Sequence, residues 1–133
     1  RFLGSPPMNF VPGRLKKTGG IETMVELSDG TCLRAAIDSR AATAGDTVTL
    51  GIRPEQVRLN DHRNGIEARL VQVERLGDHS LAYLERDCGN QPMVVRCGAD
   101  VQPGMGAQLK IGLPPTDCHL FDRNGSAFSR TMR

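Results

Sequence analysis

The sequence predicts an all-β chain built as two tandem small barrels packed together, with few or no long helices. Three observations carry this prediction. Apolar residues recur with a period of two over short stretches. Gly, Pro, Asp and Asn punctuate those stretches. One strand-and-stop phrase is written twice, as VTLGIRPEQVRL at 48–59 and as LKIGLPPTDCHL at 109–120.

In chain order, Ser5 and Pro6 suit the cap and first position of one short helix at the start. Ile21, Thr23, Val25 and Leu27 alternate with Glu22, Met24 and Glu26, the pattern of a half-buried strand. Asp29-Gly30 permits the positive φ of a tight hairpin turn, and residues 32–37 form the returning strand. A loose loop over 41–45 leads to a strand with Val48, Leu50 and Ile52 on one face, and Pro54 ends its pairing. Past Asn64-Gly65, Ala68 and Leu70 share a face before Val71 and Val73 take over. This phase slip predicts a bulge near Leu70. Residues 81–85 and 93–97 read as a hairpin around 87–91. Leu109, Ile111 and Leu113 make a strand stopped by Pro114-Pro115, and strands at 118–122 and 126–128 flank a last turn at Asn124-Gly125.

The repeated phrase has a fixed offset. Gly45 and Gly106, Gly51 and Gly112, Pro54 and Pro115, and Leu59 and Leu120 all stand 61 residues apart. Val48, Leu50 and Ile52 map by the same step onto Leu109, Ile111 and Leu113, and Arg14-Leu15 maps onto Arg75-Leu76. The first Gly turns the chain into a strand. The second lacks a Cβ, so another segment can come close. Pro then removes a backbone donor. Two units of about 60 residues follow, and a five-stranded, partly open OB-type barrel fits the strand supply of each. The expected fold is therefore two tandem OB-like small barrels, with boundaries at 13–62 and 63–133 after a leading segment at 1–12.

Composition narrows the function. Lys and Arg number 17 against 15 Asp and Glu, for a net charge of +2 with both signs scattered. That pattern argues against a dedicated nucleic-acid or membrane surface. Tyr83 is the single tyrosine and there is no tryptophan, so the aromatic platform of a single-strand nucleic-acid binder is missing. Tyr83 reads as a packing residue. Cys32, Cys88, Cys97 and Cys118 form no C-x-x-C pair. The neighbours Cys118 and His119 point to opposite faces of a strand, so no metal site is assigned and reduced thiols are expected. No apolar run reaches about 18 residues. The chain opens at Arg1 inside what reads as continuous sequence, so it is expected to be a piece of a longer protein.

FLGSPPMNFVPG (2–13), LGIRPEQV (50–57), VERLGDHSLAYL (73–84) and IGLPPTDCHLFDRNG (111–125) stand in an order that resembles one family. The chain is similar to the C-terminal regulatory region of the ATP-binding subunit of carbohydrate-importing ABC transporters. These are the maltose, multiple-sugar and glycerol-3-phosphate importers. The resemblance covers nearly the whole chain. It implies a β-rich tail of OB-like units behind a nucleotide-binding domain, helping to hold two copies of the subunit together. It also implies a place on the cytoplasmic face of a bacterial inner membrane beneath permease subunits, with ATP and Mg bound by the other domain. This stretch itself has no G-x-x-x-x-G-K-[ST] loop, and its Lys-Lys-Thr-Gly-Gly at 16–20 has the wrong order to cradle phosphate. No catalytic, cofactor or metal residue is assigned to it.

Candidate sites follow from the same motifs. Phe2, Gly4, Ser5, Pro6, Pro7, Met8 and Asn9 match the family's junction with the nucleotide domain. Arg53 and Glu55 bracket Pro54 and are candidates for an inter-barrel or dimer interface, against the plainer reading of a local ion pair worth about 0–1 kcal/mol. His119, Phe121 and Asp122 match the family's HLFD and are candidates for the same inter-barrel or dimer interface. Strand geometry places His119 and Phe121 on one face with Asp122 on the other, a structural anchor rather than a catalytic set. Two functions are expected: a non-catalytic regulatory and dimerisation module, or a ligand-binding OB module for an oligosaccharide or small oxyanion.

Overall fold

The computed structural model describes residues 7–86, 92–100 and 104–131. The short helix expected around Ser5 and Pro6, the turn at 87–91 and Cys88 lie outside them. Strands β1 (Asn9–Lys17), β2 (Thr23–Glu26), β3 (Cys32–Ala35), β4 (Ile37–Asp38), β5 (Thr47–Ile52) and β6 (Arg58–Leu59) make up the first half. Then come β7 (Gly65–Arg75), β8 (His79–Glu85), β9 (Met93–Gly98), β10 (Gln108–Gly112), β11 (His119–Asp122) and β12 (Ser129–Arg130). The only helical pieces among the described residues are two 3-10 turns, Pro54–Gln56 and Pro115–Asp117.

Each half begins its sheet in one way. In β1, Leu15 pairs with Val25, and the register slips before Lys17. In β7, Leu70 pairs with Leu84, and the register slips before Gln72. The bulge expected near Leu70 is present, and β1 carries its twin 55 positions earlier. Leu15 and Leu70 also make matching backbone contacts. Gly45 N–H donates to Leu15 O at 2.7 Å and Gly106 N–H to Leu70 O at 2.9 Å. Both glycines hold positive φ, 97° and 78°, as a tight entry into a strand requires. The structural mate of Arg14-Leu15 is therefore Arg69-Leu70. The 61-residue match to Arg75-Leu76 is a coincidence of sequence.

The expected strands are present with three changes, the first being that the strand expected at 126–128 forms instead at Ser129–Arg130, with only a single bridge from Ala127 to Phe121. Ile21 is 74% exposed and lies outside β2, so that strand's inward row is Thr23 and Val25, with Leu27 buried just past its end. The returning strand breaks at Ala36 into β3 and β4, and β4 then pairs with β12.

One strand of each half, β6 of the first and β11 of the second, crosses to the sheet of the other. One five-stranded sheet has the order β11-β5-β1-β2-β3, the second β6-β10-β7-β8-β9. β11 places His119 opposite Gly51 and Leu120 opposite Leu50. β6 places Arg58 opposite Gly112 and Leu59 opposite Ile111. These are the same pairings shifted by 61 residues and exchanged between halves. Gln56 and Asp117, also 61 apart, touch each other at 3.3 Å between Nε2 and Oδ1. Equivalent positions in mutual contact mark a local two-fold relation. A single apolar core results, with Leu15, Leu50 and Ile52 packed together with Leu70, Ile111 and Leu120. Neither half alone closes its sheet, and burial of the shared core holds both.

Candidate interaction surface

Asn9 opens β1 and is buried. Its Nδ2 donates to Val94 O at 2.8 Å, and Val94 N–H donates to its Oδ1 at 2.8 Å. One side-chain amide thus stands in for a strand neighbour and joins β1 to β9 of the other half. Asn64, 55 positions on, repeats the clasp. Arg34 N–H donates to Asn64 Oδ1 at 2.7 Å, and Asn64 Nδ2 donates to Arg34 O at 2.9 Å and to Leu113 O at 2.6 Å.

Around the first clasp the outer face of β1, β5 and β11 carries an aromatic patch. A Cβ at Gly51 would lie 2.5 Å from Met8 Sδ and 3.0 Å from Phe121 Cε2, so only glycine admits both side chains. Phe10 is 44% exposed and meets Phe121 edge-on with ring centroids 5.9 Å apart. His119 stacks on Phe121 at 6.5 Å and 13°, the shared face read from the sequence. Such aromatic pairs contribute about 0.5–1.5 kcal/mol beyond their buried area. His119 titrates below its ordinary value, first because burial disfavours its charge and then because Arg130 and Arg53 are cations nearby.

Of the junction candidates, Met8 and Asn9 lie within the described residues. They point opposite ways, Met8 into the aromatic patch and Asn9 into the clasp. Phe2, Gly4, Ser5 and Pro6 lie outside the described residues, and Pro7 is exposed. Arg53 and Glu55 are exposed on either side of buried Pro54. Asp122 turns away from the patch and accepts backbone N–H groups of Asn124 and Ser126 at 2.9 Å, closing the last turn. Phe10 and Asn64 were missed by motif reading. Their signal was the asparagine at the mouth of each long strand, hidden by its different offset. Tyr83 is half-buried, its hydroxyl donating to Glu74 at 3.0 Å. Cys118 is buried, and burial pushes its thiol up to about 12, so it is unreactive at neutral pH.

The family model described as "TOBE domain" matches residues 50–121, and that described as "MalK OB fold domain" matches 4–57. The chain is 36% identical over 130 residues to a maltose/maltodextrin import ATP-binding protein MalK of Salmonella typhi. The match covers 97% of this chain and 35% of that protein. It is 33% identical to the protein of the same name from Photobacterium profundum, over the same shares of each chain. It is 31% identical to an alpha-glucoside transport ATP-binding protein AglK of Rhizobium meliloti, across 96% and 35%. The chain thus spans about a third of the length of these relatives. The fold is similar to that of the cytoplasmic molybdate-binding protein ModG, with a TM-score of 0.72 at 19% identity, covering 84% of this chain and 94% of that one. With one model spanning more than half its length and a second covering most of the remainder, the chain belongs to the TOBE domain family, in the form joined to a MalK-type OB fold.

Proposed function

We propose that this chain is the non-catalytic regulatory and dimerisation module of the ATP-binding subunit of a bacterial carbohydrate ABC importer. The observation that carries the reading is the continuous match, over 97% of the chain, to importer ATP-binding proteins of maltodextrin and alpha-glucoside transport. The module works by holding geometry. Its two halves share one core and two asparagine clasps, so it moves as one body while nucleotide domains open and close. In the whole subunit, ATP and Mg bind in the nucleotide domain. Permease subunits lie above it, on the cytoplasmic side of the inner membrane. The patch of Met8, Phe10 and Phe121 lies where β1 begins, and in this reading the nucleotide domain packs over it.

Sedimentation of the chain tests the reading. A stable contact between copies buries more than about 1,000 Å² in total, and reversible self-association is the expected result. A strict monomer at about 100 μM overturns the dimerisation role.

A further inference from the structure

The two clasps stand in two surroundings that correspond residue by residue. Gly51 corresponds to Gly112, Met8 to Arg63, Val94 to Arg34 and His119 to Arg58. The strand pairings set Phe10 opposite Gly51 and Gly65 opposite Gly112, with His119 and Arg58 on the other side of those glycines, and Met8 and Arg63 each precede a clasp asparagine. Around Gly51 the space is filled by Met8 and Phe121. Around Gly112 there is instead an open recess of about 420 Å³, lined by Arg34, Arg58, Arg63, Asp61, Pro114 and Pro115 among others. Where one half places a thioether, a valine and an imidazole, the other places three guanidinium groups.

We propose that this recess binds the phosphate group of a small phosphate monoester. Three guanidiniums against one carboxylate leave an excess of positive charge at a concave surface, which attracts a dianion and offers planar forks of donors to its oxygens. The carboxylate does not cancel them. Asp61 is bound to its own neighbour, with Arg63 Nε donating to Oδ1 at 3.1 Å and Nη2 to Oδ2 at 2.8 Å. That fork holds Arg63 in place and leaves its other N–H groups to a ligand. Among the described residues no carboxylate pairs with Arg58. Arg34 reaches Glu22 only at 3.7 Å, with both side chains about half exposed, a pair that water largely screens.

The floor is rigid. Asn64 uses its whole amide in the clasp. A Cβ at Gly112 would lie 2.9 Å from the backbone oxygen of Arg63. The volume falls in the small-molecule range of about 300–1,000 Å³, more than a bare tetrahedral ion fills. Pro114 and Pro115 supply an uncharged wall for the organic part. Since the recess takes walls from both halves, its ligand would bridge them.

Calorimetric titration of the whole chain tests this with glucose 6-phosphate, inorganic phosphate and glucose as probes. Saturable binding of glucose 6-phosphate is expected, weaker binding of inorganic phosphate, and none of glucose. Arg58→Gln is expected to weaken the sugar phosphate at least about tenfold, while Arg58→Lys keeps part of the affinity. His119→Gln, at the corresponding position of the other half, and Arg123→Gln, on a distant turn, leave it unchanged. Arg58 is exposed, so an unaltered urea midpoint checks that the variant is folded. No saturation at about 10 mM overturns the proposal, since a site with a Kd near 1 mM would then be mostly filled. So does binding that Arg58→Gln leaves intact, or that Arg123→Gln weakens equally. Equal affinity for inorganic phosphate assigns the recess to the free ion and overturns the monoester. The proposal stands on the recess alone, so its failure leaves the dimerisation test untouched.

Discussion

Around Asn9 and around Asn64 the chain builds one scaffold twice and finishes it with different side chains. The shared part is backbone chemistry: an asparagine clasp, a glycine that admits a close neighbour, a 3-10 turn begun by proline and a strand handed to the other half. The unshared part is what fills the space above the glycine. On one side it is apolar and closed, on the other charged and open. A duplicated fold therefore keeps the residues that set main-chain paths and is free to vary the residues that meet solvent or ligand.

Burial separates the two clasps most sharply. Val94 is only 8% exposed, whereas Arg34 is exposed. Asn9→Ala strands a buried N–H and a buried C=O at about 1–3 kcal/mol each, for an expected loss of about 3 kcal/mol. Asn64→Ala lets water replace most of its bonds but places alanine at φ 48°, for an expected loss of about 2 kcal/mol. Asn64→Gly removes the strain and should cost about 1 kcal/mol. Urea unfolding with a constant m-value reads all three. A loss for Asn64→Gly as large as that for Asn9→Ala would show that burial is not what distinguishes the clasps.

The two glycines give the next largest difference. At Gly112 an added Cβ meets main chain, Arg63 O at 2.9 Å, and Asp61 Cβ at 3.1 Å. At Gly51 it meets the far end of Met8, at 2.5 Å from Sδ, with the Phe121 ring at 3.0 Å. Backbone cannot step aside, but a thioether can. Gly112→Ala should cost about 2 kcal/mol and Gly51→Ala about 1 kcal/mol or less. Replacing Met8 by alanine in the second variant should return most of its loss. If it does not, the Phe121 ring rather than Met8 is the obstruction.

These contrasts explain what could be read from the sequence. The 61-residue repeat was legible because Gly45, Gly51, Pro54 and their mates act through the backbone, where residue type and geometry are tightly linked. The bulge at Leu70 was legible because a bulge shifts the phase of alternation. The clasps were not, because Asn9 and Asn64 stand 55 apart, and connections of unequal length displace them from the main repeat. The exchange of β6 and β11 was not legible either. Period-two patterning says which face of a strand is buried and nothing about which strand lies beside it. Arg34, Arg58 and Arg63 looked like scattered surface charge. They meet only because three different elements converge at Gly112.

The smallest expected difference lies between His119 and Arg58, which hold corresponding places. A guanidinium has no proton to lose in the neutral range, but His119 is held below its ordinary value of 6.5 by burial and by Arg130 and Arg53, with Asp117 opposing. Its folded-state value is thus lower than its unfolded one. As pH falls through 6.5 the unfolded chain takes up the proton first, so folding loses stability until the folded imidazole also titrates, and the loss then levels off. Thermal midpoints of wild type and His119→Gln, compared between about pH 7.5 and about pH 5.5, should therefore converge as pH falls. Wild type loses what the glutamine variant never had. Arg58→Gln should run parallel to wild type, because no proton moves there. Parallel curves for His119→Gln would mean that the imidazole is as well solvated as in the unfolded chain. That would contradict its packing against Phe121 and make the two faces alike in their response to acid.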